Sequence, residues 1–233
     1  MPRKSNGVSP SGEGSDSKSA RTRKRILDSA AYVLSRKGYS GTRLGDVADH
    51  AELQAPAIYY YFPSREMLIE EVMWVGTHHI RENVAKEVDG LPADATPMDR
   101  IMKAVEAHLR NVLELSDYTK AAIRNAGQLP DKIRNRQLVE ETKYGALWRR
   151  LINEAAAAGE LRSDLEPRIA RMLIVGALNW AAEWWDPRRG SLDTVVRTAQ
   201  SMVRHGLSGS VELPSPEQPA PRRKTRSRRA QTT

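Results

Sequence analysis

"QAPAIYYYF", residues 54–62, is the stretch on which the reading of this chain turns. It places a proline near the start of a short segment, follows with three consecutive tyrosines, and ends on the chain's only phenylalanine. Successive residues of a helix are turned about 100° from one another, so three adjacent tyrosines cannot all enter one core. Ala55 and Ala57 keep the front of the segment slim. Pro56 falls in a first helical turn, where its missing N–H has no intrahelical partner to lose. Ile58 and Phe62, four apart, point to one side. A short, slim helix that follows another short helix across a tight turn has the shape of a helix-turn-helix recognition element, made to enter a major groove. Tyr59, Tyr60 and Tyr61 then stand where phenol hydroxyls reach phosphate oxygens beside that groove.

The flanking sequence supports this reading. Ile26, Ala30, Val33 and Leu34 share one face of a first helix, which Gly38 ends. Thr42 is placed to cap a second helix bearing Leu44, Val47 and Ala48. Ser64 caps a fourth, with Leu68, Val72, Val75 and His79 on one stripe. Four short helices are thus expected in under sixty residues. Beyond them, Thr96-Pro97-Met98-Asp99 reads as a capping box, and behind it Ile101, Ala104, Val105, His108, Leu109 and Val112 form an apolar stripe. Further helices are expected at about 118–127 and 132–158, the second ending at Gly159. Another opens at Pro167 ("RIARMLIVGALNWAAEWW") and stops before Pro187, and the last runs from Ser191 to about Gly206. No strand-like alternation competes with this pattern and no internal repeat is found. The expected fold is all-α: an N-terminal helix-turn-helix DNA-binding domain at 21–66, then a larger helical effector-binding and dimerisation domain at 67–208.

Charge concentrates at the ends. The formal net charge is +8, of which residues 1–25 carry +5 and residues 211–233 carry +4, leaving the middle about neutral. Segments 1–20 and 209–233 are rich in Ser, Pro, Gly and charge, and are expected to be disordered tails. "RTRKR" (21–25) and "RRKTRSRR" (222–229) suit sequence-independent attraction to nucleic-acid phosphates, although the second serves equally as a solubilising tail. Residues 26–80 hold four basic and seven acidic side chains. A DNA-binding unit that is itself net negative needs help from Arg21, Arg23, Lys24 and Arg25, which are expected to form an arm for an adjacent minor groove.

At this point "RILDSAAYVLSRKGYSGTRLGDVADHAELQAPAIYYYFPSREMLIEEV" resembles the TetR family of transcriptional regulators, most specifically in "RILDSAA", "GT", "DVADHA" and "IYYYF" followed by "SREML". The resemblance implies that Thr42 and Arg43 contact phosphate and a guanine, that Gln54, Ala55 and Ala57 face bases, and that Tyr59, Tyr60 and Tyr61 hold the backbone, Tyr61 serving packing as readily. The chain departs from the family at three places. Glu52 stands where the turn usually has glycine, Gln54 replaces a small hydroxyl cap, and Pro56 replaces a contact residue.

The resemblance also assigns the last two helices to a homodimer interface, the alternative being a central helix of a monomeric bundle. "AGELRSDLEP" and "GALNWAAEWW" resemble late segments of members that sense CoA thioesters. Large side chains of the second domain, His108, Tyr144, Trp148, Asn179, Trp180 and Trp184, are the candidates for effector binding, each with core packing as its ordinary alternative. Arg149 and Arg150 suit either a phosphate-bearing ligand or a solvated helix face. The expected partners are an operator in double-stranded DNA, a small-molecule effector and a second copy of the chain. No cofactor, metal or membrane is called for, and a cytoplasmic, nucleoid-associated location is expected. Enzymatic chemistry finds no support. There is no cysteine and no HExxH, no glycine-rich loop follows a strand, and adjacent His78 and His79 face different sides of a helix. The rival function is a ligand-independent architectural DNA binder driven by its basic tails.

Overall fold

The computed structural model describes residues 13–208, with the side chains of 13–17 and 115 excepted. Nine helices follow one another among these residues: α1 Glu13–Gly41, α2 Leu44–His50, α3 Ala55–Tyr61, α4 Arg65–Asp89, α5 Pro97–Arg110, α6 Asp117–Asn125, α7 Asp131–Ala157, α8 Pro167–Trp184 and α9 Leu192–Ser208. A π-helical turn, Asn111–Leu115, joins α5 to α6. The fold is all-α.

Most helix ends obey local chemistry. The Ser64 hydroxyl accepts the Met67 amide at 3.1 Å, and Thr96 and Asp99 form the full capping box. Gly38 and Gly159 break α1 and end α7 with positive φ. Glu52 does the same after α2 with φ of 52°. There Leu53 N–H donates to the Ala48 carbonyl at 3.0 Å and Glu52 N–H to that of Asp49 at 3.1 Å, a Schellman ending. The turn therefore keeps its left-handed residue without glycine, at a cost of about 1 kcal/mol.

Three expectations are corrected. Residues 13–20 continue α1 as helix, so the N-terminal tail is shorter than 1–20. Residues 1–12 and 209–233 lie outside the described residues. Only α2 and α3 of the first four helices are short, since α1 and α4 run for 29 and 25 residues. The stripe expected on α4 is shifted as well. The buried stripe of α4 includes Leu68, Ile69, Val72, Met73, Gly76 and Ile80, leaving Val75 half-buried and His79 exposed. The core beneath the helix-turn-helix joins Ile26, Leu34, Val47, Ile58 and Phe62 to Val72 and Met73 of α4, to Ala121 and Ala122 of α6, and to Leu129 and Ile133.

Helix α6 is the bracket between the two halves. Arg124 donates to the Ser35 carbonyl of α1 at 2.9 Å, and to Glu183 and the Ala182 carbonyl of α8 at 2.7 and 2.9 Å. Buried Asn125 accepts the Tyr39 amide at 2.7 Å, and the Tyr118 hydroxyl donates to Asp28 at 2.9 Å. Against α4 the approach is so close that a Cβ added to Gly76 would lie 2.2 Å from the Tyr118 carbonyl oxygen. The second core, built from α4, α5, α7, α8 and α9, lies behind this bracket and includes Val84, Ile101, Val105, Leu109, Trp148, Leu151 and Leu178.

Gly76→Ala is expected to lower stability by about 1–3 kcal/mol, as overpacking does, because the obstacle is backbone. Gly45→Ala, where a Cβ meets nothing within 4 Å, is expected to stabilise α2 by up to about 1 kcal/mol. Urea unfolding of the two variants checks the contrast.

Candidate nucleic-acid interface and effector site

The front of α3 is built as the sequence implies. Gln54 occupies its N-cap position in extended backbone without using its side chain, and the side chain is exposed. Ile58 is fully buried and Phe62 nearly so. This anchors the helix by roughly 1.5–3 kcal/mol per side chain. Ala55 and Ala57 are half-buried. Tyr59 and Tyr60 project, 54% and 81% exposed. Tyr61 is half-buried against the first core, edge-on to Tyr60 at 5.1 Å between ring centroids. Tyr61 therefore packs against that core, while the phenols of Tyr59 and Tyr60 stand exposed.

The basic residues fare differently. Arg43, at the N-cap of α2, is exposed and makes no ion pair among the described residues. Thr42 is 2% exposed and donates to the Gly38 carbonyl at 2.7 Å instead of capping α2. Its hydroxyl is spent on the α1 break, which removes it from the capping role. Arg65 donates to the Thr42 carbonyl at 2.7 Å and to the Tyr39 carbonyl, with its guanidinium over the Tyr39 ring. It fastens the start of α4 to the loop before α2, and nothing in the local sequence signals this. Arg36 and Lys37 are paired with Asp117 and Asp46.

The expected arm is a helix. A helix is roughly 10–12 Å across with its side chains, and a B-form minor groove about 6 Å wide, so α1 cannot enter one. Arg23 is held by Glu71 at 3.1 Å and lies over the Phe62 ring, while Lys24 pairs with Asp28 at 2.7 Å. Arg21 and Arg25 are exposed one helical turn apart on α1. Glu71 also takes Arg136 of α7. Burial opposes its charge, but hydrogen bonds from Arg136 and Arg23 hold its pKa below the usual carboxylate range.

In the second half, the effector candidates divide. His108, Tyr144 and Trp148 come together between α5 and α7, with ring centroids 6.0–6.4 Å apart. The Tyr144 hydroxyl and His108 Nδ1 share a 2.7 Å hydrogen bond. His108 Nε2 and Trp148 Nε1 are buried with no hydrogen-bond partner. Asn179 of α8 is near enough to favour protonated His108, yet makes no hydrogen bond of ordinary geometry with it. Burial dominates and pulls His108 down to about 4. Burial likewise pushes the Tyr144 phenol up. Trp180 and Trp184 are not part of this cluster. They are 66% and 54% exposed, on an apolar face of α8 and α9 that also carries Leu173 and Met202. Asn179 and Trp180 border a polar cleft of about 720 Å³ that runs to Arg36, Gly38 and Arg124 at the junction of the halves.

This architecture, a helix-turn-helix head sharing its core with a larger helical half, has counterparts in known proteins. Residues 26–72 match the family model "Bacterial regulatory proteins, tetR family", and residues 94–207 match "Tetracyclin repressor-like, C-terminal domain", together more than two-thirds of the chain. The chain belongs to the TetR family. It is therefore a DNA-binding transcriptional regulator and not an enzyme. The HTH-type transcriptional repressor KstR2 of Rhodococcus jostii is 25% identical over 205 residues, covering 85% of this chain and 97% of that protein. The fatty acid metabolism regulator protein of Bacillus subtilis is 23% identical over 167 residues, covering 69% and 81%. The solved structure of AibR in complex with isovaleryl coenzyme A and operator DNA superposes with a TM-score of 0.70 at 21% identity, covering 80% of this chain and 98% of that one. No described helix of this TetR-family chain is long and apolar enough to cross a membrane.

Two outcomes follow for the TetR-family head and core. Gln54→Ala is expected to change base preference at one operator position by roughly 1–3 kcal/mol, whereas Tyr59→Phe weakens all duplexes alike. Binding selections on both variants check this, and identical profiles for Gln54→Ala and wild type would remove Gln54 from the reading set. The second concerns acid. His108 has a folded pKa near 4 against an ordinary value of 6.5, so the unfolded chain takes up its proton first. The neutral histidine's full contribution is present above pH 6.5 and falls away between 6.5 and 4, by about 2 kcal/mol at pH 5. Glu140 follows at lower pH. Burial would raise it, but Lys143, Arg81 and His78 hold it down to about 2, so its contribution is lost between 4.5 and 2. Urea titrations against pH are expected to show both windows, with the upper one reduced in His108→Gln; His79, whose pKa partial burial also lowers, keeps part of it.

Proposed function

We propose that this protein is a homodimeric repressor that leaves a palindromic operator when a small acyl-CoA-type effector binds its larger half. The observation that carries the reading is the shared core. Ala121, Ala122, Leu129 and Ile133 complete the packing beneath α3, so a ligand that displaces α6 or the start of α7 must re-aim the reading head. A ligand shifts such an equilibrium only by binding the two arrangements with different affinity. His108 Nε2 and Trp148 Nε1, buried and unpartnered, are where an effector carbonyl gains what packing leaves unsatisfied. AibR, similar in fold, is known in complex with isovaleryl coenzyme A and operator DNA, and this supports the effector class.

Dimerisation is supported by the α8–α9 face. Leu173, Trp180, Trp184 and Met202 expose a contiguous apolar surface there, a kind that isolated soluble chains seldom leave open. Two heads on one dimer then read two half-sites with a fixed spacing. Trp180 and Trp184 belong to that surface, while His108, Tyr144, Trp148 and Asn179 are the effector group. The arginines of 21–25 and of the C-terminal segment supply the attraction that keeps the protein on bulk nucleoid DNA.

The test is fluorescence anisotropy on an operator obtained by selection from random duplexes, titrated with acyl-CoA thioesters of increasing chain length. Release of wild type at micromolar thioester is expected. Asn179→Leu is expected to keep operator affinity while demanding more thioester. A protein with no sequence preference, bound equally to all duplexes with and without thioester, would be the architectural binder instead.

A further inference from the structure

The arginines of the larger half divide between those paired with carboxylates and those that are not. Arg81, Arg110, Arg124, Arg136, Arg162 and Arg204 each hold a carboxylate within 3.1 Å. Arg149, Arg168 and Arg171 form no ion pair among the described residues, and all three line one pocket between the end of α7 and the start of α8. Its volume is about 430 Å³, and its remaining lining is Ile152, Asn153, Glu166 and Pro167. The single carboxylate there, Glu166, is committed to its own helix, accepting the Arg168 amide at 3.1 Å and the Ile169 amide at 2.7 Å. Arg171 is half-buried against Gly145, and its Nε is buried with no partner. Holding three like charges around one concavity is unfavourable unless an anion answers them.

Operator DNA cannot be that anion. Ile133 of α7 belongs to the core beneath the reading head, and Arg149 lies sixteen residues further along the same helix, about 24 Å away at the helical rise. The pocket floor points instead to the effector group. Ile152 follows Trp148 by four residues on α7, and Trp148 follows Tyr144 by four. The pocket thus lies on the stripe that carries the buried cluster.

We propose that the α7–α8 pocket binds the phosphate end of the effector, with Arg149, Arg168 and Arg171 as its ligands. This rests on the reading of the protein as effector-released, and it adds that the effector is phosphorylated, as the nucleotide end of a CoA thioester is. The probe is adenosine 3′,5′-bisphosphate, titrated calorimetrically into the full-length protein at fixed salt. One saturable site per protomer is expected, weakened roughly tenfold or more in Arg149→Gln/Arg171→Gln, as for lost charge-assisted hydrogen bonds. Arg150→Gln is the control. That residue faces Asp89 and Glu154 instead, and the variant is expected to bind like wild type. Thermal melts confirm that each variant folds. No saturable site, or equal binding by wild type and the double variant, overturns the proposal. If CoA thioesters release the operator equally from both, the effector reading stands and the pocket assignment falls. If the bisphosphate binds through these arginines while no thioester releases the operator, the pocket stands and the thioester reading falls.

Discussion

The rest of the structure depends on the contact of α6 with α4 at Gly76. A side chain there would collide with the Tyr118 backbone, so α6 lies against α4 at a distance only glycine permits. That closeness lets Ala121 and Ala122 enter the core beneath the recognition helix. It also brings Arg124 and Asn125 to the carbonyl and amide groups around the α1 break. In the observed arrangement, head and larger half share one set of buried contacts, which is the physical requirement for a signal to pass between them.

Electrostatics divides the molecule's arginines by task. Arg65 and Arg124 are fasteners that satisfy backbone carbonyls where helices end. Arg23 and Arg136 meet on Glu71 and join α1, α4 and α7. Arg21, Arg25 and Arg43 remain exposed at the head, and Arg149, Arg168 and Arg171 face a pocket at the far end. The head is net negative by sequence yet exposes the first three of these cations. Three of its seven acidic residues are consumed in holding it together: Asp28 by Lys24 and Tyr118, Asp46 by Lys37, Glu71 by Arg23 and Arg136.

The buried cluster of the larger half bears on stability. His108 is neutral at physiological pH because burial disfavours its charge. Its unpartnered Nε2 and the unpartnered Nε1 of the Trp148 indole cost the fold stability. Groups of this kind make a core less stable than an apolar one and leave it receptive to a ligand that completes their hydrogen bonds. The exposed tryptophans of α8 do different work. They extend the apolar face shared with α9, while Asn179, one residue from Trp180, turns toward the interior.

The sequence by itself determined the helices, their caps and the identity of the recognition element. Apolar periodicity, capping boxes and glycine stops are local, so they were legible at Ser64, Thr96, Gly38 and Gly159, and in the exposure of Tyr59 and Tyr60. Tertiary structure alone decided the extent of the head's core, because Ile133 lies some seventy residues beyond the nearest recognition-helix residue it supports. It also decided the use of Thr42. The same hydroxyl can cap a helix or bond back to the preceding turn, and the φ of Gly38 chose the second. Helix periodicity places Trp180 and Asn179 on neighbouring faces but does not say which face turns inward. Burial of Leu178 and Ala181 settles that. The grouping of Arg149, Arg168 and Arg171 was beyond the sequence for a related reason. Charge pairing depends on which carboxylates fold into reach, and here the one that lines the pocket, Glu166, caps its own helix.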